Sequence, residues 1–121
     1  MTSEEKRAFL LLKAVIFHYH GLDEDEQKLL DEAAKKIDAQ EELKWAMNFI
    51  SQDYITAFER AREFLNETVG VYEKPLRLDY LDQVWKANNQ KGYITEMEAT
   101  AMLRLAKDWE VEEELIQLVR S

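Results

Sequence analysis

Between Ala8 and Phe17 only one residue, Lys13, is polar. A helix through this stretch has almost no face suited to water, so other elements must surround it. The run is too short to span a bilayer, which needs about 20 apolar residues. A buried central helix is therefore the first constraint on the fold. The rest of the chain can supply its surroundings. One proline and three glycines in 121 residues leave few breaks, and Ala, Leu, Glu and Lys favour helix. No stretch alternates as a half-buried strand does. The expectation is an all-α, single-domain bundle of six or seven helices over residues 1–121.

Capping signals place the elements. Thr2 with Glu5 has capping-box spacing, so the first helix is expected from Ser3 to Tyr19, ended by Gly21. Asp23 with Glu26 opens the second, with Leu30, Ala33, Ala34 and Ile37 at helical spacing. A third is expected from about Glu41, with Leu43, Ala46, Met47 and Ile50 on one face. Asp53 is read as the cap of a fourth helix carrying Ile55, Phe58, Ala61 and Leu65 and ending near Gly70. Val71 to Pro75 reads as the one substantial linker. A fifth helix carries Leu78, Leu81, Val84 and Trp85 and closes at Asn88 to Gly92. Thr95 with Glu98 opens a sixth, and Glu112 to Val119 forms a seventh.

Charge and composition narrow the function classes. Acidic residues outnumber basic ones by 25 to 16, a net charge of −9. Such a surface repels nucleic-acid phosphates and anionic lipid and suits a basic partner or a divalent cation. Without cysteine there is no disulfide, thiolate metal site or cysteine nucleophile. Met1 to Lys6 is acidic rather than basic, unlike a signal peptide, and a cytoplasmic location is expected. Ser3, Ser51 and Ser121 stand in no nucleophile motif, and no phosphate-binding glycine loop occurs. An enzyme is not expected.

Two stretches repeat one pattern. One runs from Phe17-His18-Tyr19-His20-Gly21 into Leu22-Asp23-Glu24-Asp25-Glu26; the other runs from Trp85 through Lys91-Gly92 into Tyr93-Ile94-Thr95-Glu96-Met97-Glu98. In each, an apolar helix meets a glycine, an aliphatic residue, a cap and a glutamate three residues later. Leu22 pairs with Ile94, Asp23 with Thr95 and Glu26 with Glu98, the first copy being one residue shorter between glycine and cap. Glycine lets the chain reverse, the aliphatic residue packs under the turn, and cap and glutamate satisfy orphan amides.

With these paired corners the chain resembles the TerB-like family, named for tellurite-resistance protein B and shared with DnaJ-like A membrane co-chaperones. The resemblance implies an all-helical domain of this size and a stress-response role. It also implies divalent-metal binding through acidic residues in the turns. The family's Asp before each glycine is His20 and Lys91 here; Glu26 and Glu98 carry over. His20 with Asp23, Glu26 and Glu98 is the candidate metal set. No cofactor other than such a metal is expected.

Three functions follow as expectations. The first is a non-catalytic TerB-like adaptor for a protein partner with a basic or apolar surface, with a homodimer as an option. Exposed members among Trp45, Phe49, Tyr54, Phe58 and Trp109 would mark its groove. The second is a divalent-metal sensor. The third is an acidic inhibitor or immunity-like protein that mimics nucleic-acid charge.

Overall fold

A computed structural model describes residues 1–18, 23–89 and 94–120. Among them are seven α-helices and no strand: α1 Ser3–Phe17, α2 Glu24–Lys36, α3 Gln40–Ser51, α4 Ala57–Thr68, α5 Lys74–Asn89, α6 Glu96–Asp108 and α7 Glu112–Arg120. The all-α expectation holds. Its central helix is α1, which packs against α2, α3, α4, α5 and α6. From Ala8 to Phe17 every residue except Lys13 is buried. Burying each large aliphatic side chain of that run contributes about 1.5–3 kcal/mol.

Boundaries differ from the sequence reading in three places. Asp53 does not cap α4. Its Oδ1 accepts from the Ile55 amide at 3.0 Å, closing a local turn, and α4 starts later, after Thr56. The aspartate competes with the helix for the backbone, as Asp does outside helix interiors. The linker is also shorter than Val71 to Pro75. Val69–Val71 forms one 3-10 turn, and Pro75 is the second residue of α5, where its missing amide costs nothing. Finally, α1 ends at Phe17 with His18 as its C-cap; Tyr19 to Leu22 and Gln90 to Tyr93, including both corner glycines, lie outside the described residues.

The repetition extends well past the corners. Helices α2 and α6 each have 13 residues and begin 72 positions apart, at 24 and 96. Both open with a capping box, Asp23–Glu26 and Thr95–Glu98. Both also close alike. The Ala39 amide donates to the Ala34 carbonyl at 2.7 Å and the Asp38 amide to Lys35 at 3.2 Å; Val111 donates to Ala106 at 2.9 Å and Glu110 to Lys107 at 3.2 Å. The residue between is left-handed in each, Asp38 at φ 53° and Glu110 at φ 59°. Ala39 and Val111 are then fully buried, anchoring the chain as it turns into α3 and α7. Thus α1–α2–α3 and α5–α6–α7 are matched halves, with α4 between them.

A polar tie joins α4 to the end of α6. Arg62 donates to Asp108 from Nε at 2.6 Å and from the guanidinium terminus at 3.0 Å, and Asn66 donates to the same carboxylate at 3.1 Å. The indole of the buried Trp109 donates to Asn66 at 2.9 Å, and Arg77 of α5 donates to the Trp109 carbonyl at 2.7 Å. Arg62 above all, with help from Asn66, holds the Asp108 carboxyl below the usual aspartate value of 3.8. The tie therefore stabilises the fold above that value, and its contribution fades as pH falls through the lowered one.

Two outcomes are expected. Asp108→Asn should cost about 2 kcal/mol at neutral pH, with the deficit against the parent shrinking in urea melts run below pH 3.8. Asp38→Gly and Glu110→Gly should each raise stability by about 0.5–1 kcal/mol, because glycine relieves the left-handed strain and loses part of that gain to its freer unfolded chain.

Candidate functional site

Glutamates at the two corners are the most buried carboxylates of the described residues. Glu26 is 1% exposed and Glu98 fully buried. Each serves as the reciprocal half of its box. Glu26 Oε1 accepts from the Asp23 amide at 3.2 Å while Asp23 Oδ1 accepts from the Glu26 amide at 2.8 Å. Glu98 Oε1 accepts from the Thr95 amide at 3.1 Å and the Thr95 hydroxyl at 2.9 Å, and the Glu98 amide donates back to that hydroxyl at 3.1 Å. Both make further contacts, so neither carboxylate is free. The capping box of α1, Thr2 with Glu5, has the same geometry on the exposed surface.

Of the four residues read as a metal set, the structure joins Asp23 to Glu26 through their box and places Glu98 in the other box with Thr95. His20 lies outside the described residues. Among the described residues no group of three or more His, Asp or Glu is placed to hold a metal ion. No described helix is long and apolar enough to cross a membrane.

A different feature stands out beside these corners. A cleft of about 330 Å³ opens where the end of α1, the turn before α4 and the start of α6 meet. Its wall is Val15 and His18 of the α1 end, Tyr54, Ile55 and Phe58 around the turn, and Met97 of α6. The His18 ring stacks on Tyr54, with centroids 4.8 Å apart and planes 9° from parallel. Three large apolar side chains here face solvent: Ile55 at 95%, Tyr54 at 60% and Met97 at 50% exposure. Grouped apolar exposure of this kind marks contact sites, whereas single exposed residues do not. The side chains of Asp53, Glu59 and Glu96, next to these residues in the chain, are exposed too. Glu59 also lines the cleft, reaching Arg62 at 3.5 Å and Arg104 at 3.7 Å.

Sequence reasoning found part of this site. Tyr54 is one of the aromatics whose exposure marks a groove, while Phe58 and Trp109 are core and Trp45 and Phe49 are half-buried. Those two cluster with Phe64 at centroid distances of 5.3–6.0 Å, with Arg7 over Trp45 and Arg60 over Phe49. The helical spacing places Ile55 on the buried face of α4, yet it is the most exposed residue of the cleft. The signal that could have found it is the Asp53-Tyr54-Ile55-Thr56 run, where Asp and Thr three apart favour a turn over a helix start.

Because Ile55 makes almost no contact with the core, Ile55→Ser should leave the unfolding free energy within about 0.5 kcal/mol of the parent in chemical denaturation. A larger loss would mean that the side chain supports the fold and is not held out for a partner. Comparison with family models, with curated proteins and with solved structures finds no match to this chain.

Proposed function

We propose that the chain is a TerB-like helical adaptor, of the stress-response type, that holds a protein partner at the cleft of His18, Tyr54, Ile55 and Met97 and carries out no chemistry on it. The exposed trio of Tyr54, Ile55 and Met97 is the observation that carries this reading. The paired capping boxes and the matched helical halves support the family resemblance. The partner class follows from the surroundings: an apolar side chain to enter the cleft, flanked by Lys or Arg to meet Asp53 and Glu96 on a chain of net charge −9.

Magnitudes set the expected strength. Full burial of Ile55 or Met97 contributes about 1.5–3 kcal/mol each, against an association cost of about 4–15 kcal/mol. Charge contacts must supply part of the rest, so binding should be weak and salt-sensitive. The metal-sensor alternative has less support, since each corner glutamate already spends an oxygen on its cap.

A short peptide of alternating Lys and Leu tests the reading by NMR titration. The amides of His18, Ile55 and Met97 should shift saturably, the shifts should fade as salt rises, and Ile55→Asp with Met97→Asp should abolish them. Shifts centred on another face, or none at all, would remove the adaptor cleft.

A further inference from the structure

Lys13 is the one polar residue of the central run, flanked on α1 by Leu12 and Ala14, both fully buried. Its side chain enters a second cleft, of about 340 Å³, enclosed by α1, α2 and α5 and remote in sequence from the α4 turn. The ammonium lies 5.7 Å from the centre of the Phe9 ring, a weak contact for a cation. Leu29 of α2 and Ile37 at its C-cap continue the apolar wall, and Gln83 of α5 closes it, its amide nitrogen donating to Asp79 at 2.6 Å.

The charges in this cleft are arranged against the trend of the whole protein. Lys36 also lines it, and among the described residues no carboxylate is within ion-pairing distance of Lys13 or Lys36. Glu32 stands at the cleft one turn before Lys36 but lies in no ion pair with either lysine. With 25 acidic residues in the chain, two neighbouring lysines that pair with no carboxylate among the described residues form a cationic spot on an anionic molecule. Burial first, then the charge of Lys36, holds the Lys13 ammonium below the ordinary lysine value. A desolvated cation of this kind gains most from an incoming anion.

We infer that the cleft between α1, α2 and α5 binds a small organic monoanion, a carboxylate with a short apolar body. Its carboxylate lies between Lys13 and Lys36, and its body packs on Phe9, Leu29 and Ile37. A monoanion is favoured over a phosphate because the cleft has neither an arginine fork nor a helix N-terminus, and Glu32 at its edge opposes a second negative charge. The volume is at the small end of ligand pockets, which run from about 300 to 1,000 Å³. This inference is independent of the adaptor cleft.

NMR titration of the full chain with octanoate, with inorganic phosphate and with 1-octanol in separate arms tests it. Octanoate should bind saturably, shift Leu29 and Ile37, and move the Lys13 ammonium titration upward. Lys13→Met should weaken octanoate by about tenfold or more, the effect of losing one charge-assisted hydrogen bond. Lys36→Gln, an exposed substitution that leaves the core untouched, should weaken it by a smaller factor. Octanol should bind far more weakly than octanoate. The inference is overturned by no saturable octanoate binding, by equal binding in both lysine variants, by octanol matching octanoate, or by phosphate matching it.

Discussion

A carboxylate removed from water is tolerated only where donors converge on it. Glu26 and Glu98 meet that condition by accepting from the backbone of their own cap residues, Asp23 and Thr95. Each box satisfies two amides that the first turn of a helix would otherwise leave orphaned. Because the glutamates are also buried, the boxes do more than end a helix. They fix the angle at which α2 and α6 leave the core, and the rest of the bundle is built from those two departures.

The second half of each unit follows from the first. With α2 and α6 equal in length and identically closed by left-handed Asp38 and Glu110, α3 and α7 start at equivalent positions, 40 and 112. The α4 helix and its preceding turn have no counterpart in this scheme. They fill the space between the halves, tied to α6 by Arg62 and Asp108. The Tyr54–Ile55 turn is thus the place where the repeat is interrupted, and it meets the last residues of α1 and the first of α6 there. The cleft with its exposed Tyr54, Ile55 and Met97 arises at the junction of repeated and unrepeated structure.

Much of this was legible from residues alone. The run from Ala8 to Phe17 dictated a buried helix, and Asp23–Glu26 and Thr95–Glu98 announced their boxes through spacing, because capping chemistry is local. The halves could not be followed further because Asp38 and Glu110 occupy left-handed positions where glycine is the usual marker. Asp53 misled for a related reason: its side chain can cap a helix or close a turn, and the choice is made by tertiary packing of Phe58 and Leu65. Lys13 showed in sequence only as a break in an apolar run. Its unpaired state depends on α2 and α5 being brought against α1, which no local signal contains.

Amide hydrogen exchange at Asp23 and Thr95 tests the central claim most directly. Cap-residue amides at a helix start are ordinarily open to water. If the buried glutamates hold the corners, both amides are protected to nearly the global stability, and Glu26→Ala or Glu98→Ala strips protection from its own corner. Exchange at the rate of a free amide in the parent protein would contradict the account.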